Sequence, residues 1–322
     1  MNILVVGGAG YVGGAVTDLL IDTNYNCRVY DLLLYEECYR KPVDFACGDI
    51  RNGEALRPHL RWADAVIWLA ALVGDGACQL NPEISVGVNQ EAVSWLAEHF
   101  DGRIVFLSTC SVYGAQNDVI LNEQSPTDPL SVYASTKLAA EACLAGKNAI
   151  VFRLGTLFGV GDCFSRIRLD LVVNTLTVRA WQQGRISVFG GEQFRPLLHV
   201  RDAARACVEQ AAGDSRGVYN LHRQNVRILD LAYQVRNHFP DMIIDQTVIK
   251  SQDARNYRVS SEKACNELGF RSRCSIDSGI EEIRELLIAN RFRDLDNPRY
   301  SNKAFLSVFN THNPRVQQEA AK

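Results

Sequence analysis

The chain has 322 residues, 47% of them hydrophobic, which is enough for one large α/β domain with an appended lobe or for two domains. Its net charge is −3 and long runs of like charge are absent from the sequence, so composition favours neither nucleic acid nor a membrane surface as a partner. The sequence also contains no apolar run approaching the roughly 18 residues of a membrane span, and Met1 leads directly into an apolar strand without a basic leader. We therefore expect a cytoplasmic protein with a small soluble ligand.

Six apolar segments in the first half of the chain are predicted strands. They cover residues 2–6, 27–31, 44–47, 65–70, 103–108 and 149–153. Helical segments separate most of them, and apolar strands that alternate with helices are typical of a parallel sheet covered on both faces. The predicted fold class is α/β, a Rossmann-type doubly wound parallel sheet with a smaller C-terminal substrate lobe.

A glycine-rich turn joins the first strand to a helix that runs to about Ile21. Its three spaced glycines allow a tight turn, close approach of the backbone to a diphosphate, and close packing of the helix on the strand. Free N–H groups at the helix start can hold the anion. The residues predicted to line this site are Gly7, Gly10, Tyr11, Val12 and Gly13.

Asp31 ends the second strand, where a carboxylate can accept hydrogen bonds from the ribose hydroxyls of an adenosine. No arginine follows it at once, so a 2′-phosphate would meet uncompensated negative charge, which favours NAD over NADP. A glycine turn followed by a surface aspartate is the structural alternative.

Two further segments are candidates for cofactor contact. Asp49 and Ile50, after the third strand, offer a hydrogen bond and packing to an adenine, although an aspartate in a loop is also a common turn former. Leu69, Ala70 and Ala71 end the fourth strand, where small residues would let a cofactor pass close to the backbone. Small residues at a strand end are equally typical of core packing without a ligand.

Tyr133 and Lys137 are four residues apart on a predicted helix and so share a face. An ammonium near a phenol favours the ionised form, which makes the tyrosine a candidate base near neutral pH. Taken alone, this spacing is also typical of a solvated helix face. Thr109 ends the fifth strand, and the carboxyl ends of parallel strands border the ligand crevice, so its hydroxyl is a candidate ligand for a substrate oxygen.

The character of the sequence changes after about residue 160, where glycines mark loops. We predict an NAD-binding Rossmann domain over 1–160, with parts of about 195–225 rejoining it, and a mostly substrate-binding lobe over 161–310. The tail 311–322 is polar and without periodicity, and is expected to be frayed. Ten scattered cysteines show no CxxC pair and no metal-ligand spacing, so we expect reduced thiols and no metal site.

Several spaced motifs occur together in a defined order. They are GGAGYVG at 7–13, Asp31, GDI at 48–50, LAA at 69–71, STCSVYG at 108–114, YASTK at 133–137, FRLGTLFG at 152–159 and RPLLHVRD at 195–202. This series resembles the extended short-chain dehydrogenase/reductase family, in the branch of NAD-dependent nucleotide-sugar epimerases and dehydratases. The resemblance covers about residues 1 to 290.

The resemblance implies a first chemical step. Tyr133, as a phenolate, takes the proton of a sugar hydroxyl, typically at carbon 4, while hydride goes to the nicotinamide of NAD. Lys137 binds the nicotinamide ribose and lowers the pKa of the tyrosine, and Thr109 orients the hydroxyl. Return of the hydride to the other face gives epimerisation, release of the ketone gives a 4-dehydrogenase, and acidified neighbouring C–H bonds permit elimination.

Two departures from the family pattern bear on the reaction. Family dehydratases carry Asp-Glu directly after the catalytic threonine, whereas this chain has Cys110 and Ser111, so a 4,6-dehydratase is disfavoured. Cys110 is a candidate proton carrier at carbon 3 or 5, or a small buried hydrophobe. Thr156 stands where galactose epimerases carry an asparagine near the sugar diphosphate, which puts a galactose-type substrate in doubt.

Three residues match family positions that hold the substrate diphosphate: Arg195, Arg255 and Asn174. The planar guanidinium suits the task because it pairs with phosphate oxygens in two places. Without the family, the arginines are typical of a solvated surface and the asparagine of a helix cap.

The resemblance leads to an NAD-dependent nucleotide-sugar epimerase or 4-dehydrogenase that acts on a nucleotide-diphosphate sugar. The loop 73–81 and the segment 168–174 are similar to enzymes that oxidise carbon 4 of GDP-linked heptoses. The alternatives are an NADPH-dependent carbonyl reductase of the same superfamily and a non-catalytic NAD-binding protein. Helices at 91–95 and 133–144 match those through which family members dimerise, so a homodimer is expected.

Overall fold

A computed structural model describes residues 1–162, 164, 166–247 and 256–312 and contains a seven-stranded parallel sheet. The order of strands in this sheet is β11-β7-β5-β4-β1-β2-β3. In chain order the strands are β1 (Asn2–Val6), β2 (Asn26–Asp31), β3 (Asp44–Cys47), β4 (Ala65–Trp68), β5 (Arg103–Thr109), β6 (Gln116–Leu121), β7 (Ala149–Leu154), β8 (Thr156–Phe158), β9 (Arg185–Phe189), β10 (Phe194–His199), β11 (Gly217–Leu221), β12 (Gln224–Arg227), β13 (Ile243–Thr247) and β14 (Tyr257–Val259).

Helices cover the sheet and build the rest of the described chain. They are α1 (Tyr11–Ile21), α2 (Gly53–Trp62), α3 (Asp75–Cys78), α4 (Pro82–Val86), α5 (Ala92–His99), α6 (Val132–Cys143), α7 (Val172–Gln183), α8 (Val200–Ala211), α9 (Ile228–His238), α10 (Glu262–Glu267), α11 (Ile276–Ile288) and α12 (Asn302–His312). A π-helical turn spans Gly87–Glu91, and 3₁₀ turns span Cys110–Tyr113 and Pro298–Tyr300. No helix among these described segments is both long and apolar enough to cross a lipid bilayer.

The strands of the sheet are buried because each face carries its own helical layer. Ile3 and Val5 of β1 belong to a core shared with α1 and α8, whereas Leu4 and Val6 belong to a core shared with α2, α5 and α6. Successive strand residues point to opposite faces, so both sets must be apolar. All six predicted strand segments lie in this sheet, and the predicted doubly wound fold is confirmed.

Residues from beyond position 195 return to the sheet. β11 pairs in parallel with β7 and forms one edge, and α8 packs against α1. β10 instead pairs with β8 and β12 in a separate three-stranded sheet, next to a core shared by α7, α9 and α11. Of the predicted frayed tail, residues 311 and 312 complete α12, and 313–322 lie outside the described residues.

Candidate active site

The turn after β1 leaves no room for side chains at two of its glycines. Gly7 has φ +86°, and a Cβ there would lie 2.4 Å from the backbone nitrogen of Ala70. A Cβ on Gly13 would lie 2.5 Å from the Gly7 carbonyl oxygen, so α1 packs directly on the turn. α1 begins at Tyr11 without a side-chain cap or an acidic residue in its first turn. Its first N–H groups are therefore available to an anion, and Gly10 and its neighbours line the larger of the two cavities that adjoin this turn.

The smaller cavity, of about 190 Å³, is lined by Asp31. The carboxylate oxygens of Asp31 accept hydrogen bonds from the backbone N–H groups of Ala9 at 3.0 Å and Leu33 at 2.7 Å, which fixes their orientation. Burial raises the pKa of Asp31, and these two hydrogen bonds oppose the rise. Among the described residues around this cavity Arg51 is the only cation, and it pairs with Asp49 at 2.5 Å. This arrangement suits a ribose diol better than a 2′-phosphate.

The two cavities communicate along the predicted cofactor path. Leu69 and Ala71 line both of them, and Ala70, Asp49 and Ile50 line the smaller one. A dinucleotide can therefore extend from one cavity into the other past the glycine turn. The glycine contacts, the uncapped helix start and the placement of Asp31 together fit NAD.

Helix α6, which carries Tyr133 and Lys137, begins where Ser131 caps it. The Ser131 hydroxyl accepts a hydrogen bond from the Ala134 N–H at 3.2 Å and donates one to the Asp75 carboxylate at 2.7 Å. Asp75 belongs to α3, in the connection after β4. The cap therefore links the start of α6 by a hydrogen bond to the connection after β4, and residues of that connection line the larger cavity.

Tyr133, Lys137 and Thr109 all line the larger cavity, whose volume is about 590 Å³. Burial raises the pKa of the Tyr133 phenol above its usual range, and Arg168 and a hydrogen bond with Thr109 oppose that rise. Lys137 Nζ donates to the backbone carbonyl of Leu107 at 2.7 Å, and burial lowers the pKa of Lys137 to about 8. The sequence leads us to expect Lys137 as the cation that lowers the pKa of Tyr133. In the structure, Arg168 is a cation that opposes the rise of the Tyr133 pKa. The Lys137 ammonium is instead directed to the Leu107 carbonyl of β5.

Another part of the larger cavity is lined by β9 and β10. Arg195 lies here with only 6% of its surface exposed, and its Nη1 donates to the Phe194 carbonyl at 2.8 Å. Ser111 lines the same cavity, with its hydroxyl 3.3 Å from that of Tyr257. Arg255, the other predicted diphosphate arginine, lies outside the described residues.

Two predicted substrate residues are directed elsewhere. Cys110 is fully buried, its thiol donates to the Arg153 carbonyl at 3.2 Å, and burial raises its pKa. Asn174 is also fully buried and bridges two segments of the loop before α7, since its amide contacts both the N–H and the carbonyl of Gly159 and the carbonyl of Arg168. Neither residue lines either of these two cavities, because both side chains form hydrogen bonds with backbone groups behind the cavity wall.

Comparison with known proteins gives the family. The model of the NAD dependent epimerase/dehydratase family matches residues 3–221. The chain belongs to this family. Membership confirms the predicted resemblance and the predicted cofactor, NAD.

Relatives of known name match most of the chain. A UDP-glucose 4-epimerase of Halalkalibacterium halodurans is 30% identical over an alignment of 305 residues, which covers 84% of this chain and 90% of the relative. A probable dTDP-glucose 4,6-dehydratase of Sinorhizobium fredii is 26% identical over an alignment of 333 residues, gaps included, which covers 90% of this chain and 93% of the relative. The family members that resemble this chain therefore include both epimerases and dehydratases.

Solved structures resemble the whole described fold. The UDP-glucose 4-epimerase of Thermotoga maritima, solved with UDP-glucose, superposes with a TM-score of 0.79 at 23% identity, covering 91% of this chain and 100% of that one. MoeE5, solved with UDP-glucose and NAD, gives a TM-score of 0.76 at 25% identity, with the same coverage of both chains. The epimerase/dehydratase fold thus extends over the second lobe as well as the parallel sheet.

Asn89 is a site residue that the sequence did not single out. It lies in the π-helical turn, and its amide accepts from the Leu72 N–H at 2.8 Å and donates to the Leu72 carbonyl at 2.9 Å. It also contacts the Thr136 hydroxyl at 3.3 Å. Asn89 therefore joins the loop after β4 to α6. No motif that we recognised in the sequence predicts this role for an asparagine in a π-helical turn.

A charged cluster in the connection between β8 and α7 was also missed. Arg166, Arg168 and Asp170 all line the larger cavity. Arg168 pairs with Asp170 through two hydrogen bonds, of 2.9 and 3.1 Å. The alternation of charge in RIRLD was the available signal, but it is equally typical of an exposed loop.

Proposed function

We propose that this protein oxidises carbon 4 of a nucleotide-linked sugar with NAD and acts as an epimerase or as a 4-dehydrogenase. The observation that carries the proposal is the common cavity of Thr109, Tyr133 and Lys137, which also reaches the glycine turn on one side and Arg195 on another. NAD, when bound, supplies the hydride acceptor. The names of the relatives, UDP-glucose 4-epimerases among them, support the same class of substrate.

Each residue has a defined task in this proposal. Thr109 orients the sugar hydroxyl by hydrogen bonding, and Tyr133 takes its proton. The positive charges of Lys137 and Arg168 favour the phenolate over the phenol. Arg195, at a buried position on β10, offers a fork of donors to the substrate diphosphate.

A 4,6-dehydratase is the second candidate, because dTDP-glucose 4,6-dehydratases are among the relatives. Elimination needs an acid and a base next to the catalytic threonine. Cys110 and Ser111 occupy those positions, and burial raises the pKa of Cys110 while its thiol is held by a backbone carbonyl. The local chemistry therefore supports hydride transfer without elimination of water.

The test is incubation of the protein with UDP-, GDP-, CDP- and dTDP-sugars, including a GDP-linked heptose. Absorbance of NADH and NMR of the sugar are followed together. Inversion at carbon 4 without net NADH indicates the epimerase, and a 4-keto product with stoichiometric NADH indicates the dehydrogenase. Loss of water contradicts the proposal, as does absence of turnover with every sugar while NAD is bound.

We also propose a homodimer formed through α5 and α6, which pack side by side in the structure. Light scattering coupled to size exclusion should give twice the chain mass. A single-chain mass across the concentration range would contradict this part of the proposal.

A further inference from the structure

The C-terminal segment from the 3₁₀ turn Pro298–Tyr300 through Phe309 lies against the cofactor cavities. Asn302, at the start of α12, contacts three residues in two separate parts of the chain. Its side chain accepts from Arg166 and donates to the Val73 carbonyl at 2.7 Å, and its backbone N–H donates to Asp170 at 2.8 Å. It is 4% exposed. One residue thus joins α12 to the loop after β4 and to the connection before α7.

A continuous stack of flat side chains leads from one cavity to the other. The Arg166 guanidinium lies 3.6 Å from the Tyr35 ring centroid, Tyr35 lies 4.8 Å from Phe305, and Phe305 lies 5.5 Å from Phe309. Arg166 lines the larger cavity, Tyr35 lines both, and Phe309 lines the smaller one. Leu306 also lines the smaller cavity. The stack therefore forms a wall along the path predicted for the dinucleotide.

Arg166 is a buried cation with no carboxylate at ion-pair distance in the described part of the chain. It is 5% exposed, its Nε donates to the Arg299 carbonyl at 2.7 Å, and its Nη2 has no hydrogen-bond partner among the described residues. The neighbouring Arg168 is different, because Asp170 pairs with it. Burial lowers the pKa of Arg166 to about 10, and the negative charges of Asp170 and Glu36 offset only part of that shift. A buried charge of this kind is stabilised when an anion binds to it.

The position of Arg166 favours the cofactor as the source of that anion. It shares the larger cavity with the uncapped start of α1, where N–H groups are available for a diphosphate. Its stacking partner Tyr35 continues into the cavity that contains Asp31, on the adenosine side. Arg195, the candidate for the substrate diphosphate, lies on a strand of the other sheet.

We propose that residues 298–309 are the outer wall of the dinucleotide site, in which Arg166 is the counter-cation of the NAD diphosphate and Leu306 and Phe309 cover the adenosine. The glycine turn and α1 are the inner wall. This inference depends on NAD binding alone and does not require the sugar chemistry proposed above.

The test compares the affinities of NADH, ADP-ribose and adenosine, measured by fluorescence of bound NADH and its displacement. Arg166→Ala should weaken NADH and ADP-ribose by about 10- to 100-fold, the range for loss of a charge-assisted hydrogen bond, and leave adenosine unchanged. Arg166→Lys should recover part of the loss. Arg284→Ala, on an exposed face of α11, is the matched control and should change none of the three affinities.

Phe309→Ala should weaken all three ligands by a similar factor, about fivefold or more, because aromatic contact with the adenine is lost. Val308→Ala is the control on the same helix, since Val308 is 51% exposed and lines neither cavity. Melting curves identify variants that fail to fold. If Arg166→Ala does not fold, Phe309→Ala still tests whether residues 298–309 contact the bound dinucleotide. Equal affinities in the Phe309 and Val308 variants would overturn the proposal. So would weaker UDP or GDP binding in Arg166→Ala with NADH affinity intact.

Discussion

Tyr133 is the base in the proposed hydride chemistry, and its surroundings make the free phenol hard to ionise. Burial raises its pKa, and the groups that oppose this rise are Arg168 and Thr109. Lys137 lies one turn further along α6 in the same cavity. The proposed base therefore depends on a cation from the connection before α7, and α6 places a second cation in the same cavity.

Replacing Tyr133 with phenylalanine should lower kcat by about 10²- to 10⁴-fold, the usual contribution of a positioned general base. NADH affinity should stay unchanged, because the ring remains. Steady-state kinetics and NADH titration check both expectations. Tyr233→Phe removes a hydroxyl from a half-exposed tyrosine on α9 and should behave like the parent. A Tyr133 variant with parental kcat would contradict the assignment.

Lys137 should make stability depend on pH in the protein stripped of NAD. Its pKa in the folded chain is about 8, below its ordinary value of 10.5, so between these values the unfolded chain holds a proton that the folded chain has released. The free energy of unfolding should therefore rise as pH increases through this window, by up to about 3 kcal/mol. Urea unfolding of the parent and of Lys137→Met measures the difference. An identical rise in the variant would show that Lys137 is not its source.

At the scale of elements, α6 is held against the sheet by a buried polar network. Glu141 on α6 accepts three hydrogen bonds from Arg153 of β7, the shortest of 2.7 Å, and one from the Ser108 hydroxyl of β5. Arg153 also donates to the Tyr113 hydroxyl at 3.0 Å. The ion pair of Glu141 and Arg153 joins α6 to the strands beneath it. The position of α6 therefore depends on two charged side chains that are largely buried.

Arg153→Ala should lower the free energy of unfolding by about 3–5 kcal/mol, because it leaves the Glu141 carboxylate buried without a counter-ion. The double variant Glu141→Leu with Arg153→Met should lose less, since both charges are removed. Denaturant unfolding measures each. Lys147→Ala, which breaks an exposed ion pair with Asp101, is the control and should cost no more than about 1 kcal/mol. A single variant as stable as the double one would contradict this role.

The sheet and the cofactor turn could be predicted because their signals are local. β1 and the glycine turn are contiguous, and the apolar runs that became β4 and β5 leave few alternatives to a buried strand. Arg166 could not be identified in the same way, since its partners Tyr35 and Asn302 are more than a hundred residues away in either direction. Cys110 directly follows Thr109 in sequence, but the 3₁₀ turn directs its thiol behind the site. Contacts that close a site depend on the fold as a whole.

At the scale of the whole molecule, the larger cavity combines residues from two sheets. Thr109 belongs to the seven-stranded sheet and Arg195 to the three-stranded one, and both line the same space. A ligand that contacts both residues must bridge the two layers. Under the proposed function, Arg195 contributes to nucleotide binding and not to NAD binding, so its loss should change only the first of these affinities.

Arg195→Ala should weaken UDP or GDP binding by about 10- to 100-fold, because a charge-assisted contact with the diphosphate is removed. The dissociation constant of NADH should not change. Calorimetric titration of both ligands checks this separation. Arg185→Ala on β9 is the control, since Arg185 is exposed and pairs with Asp245. Parallel loss of both affinities would indicate a general disturbance of the fold.

The edge position of β11 has a consequence for biosynthesis. This strand comes from residues 217–221, yet it covers the open side of β7, which ends at Leu154. At a translation rate of about 5–20 residues per second, several seconds pass between the synthesis of β7 and that of β11. During this time the backbone groups on the β11 side of β7 have no partner strand. A fragment that stops near residue 160 lacks β11, so its β7 remains an unpaired edge strand, and we expect the fragment to accumulate in inclusion bodies. A fragment extended beyond residue 221 can complete the sheet.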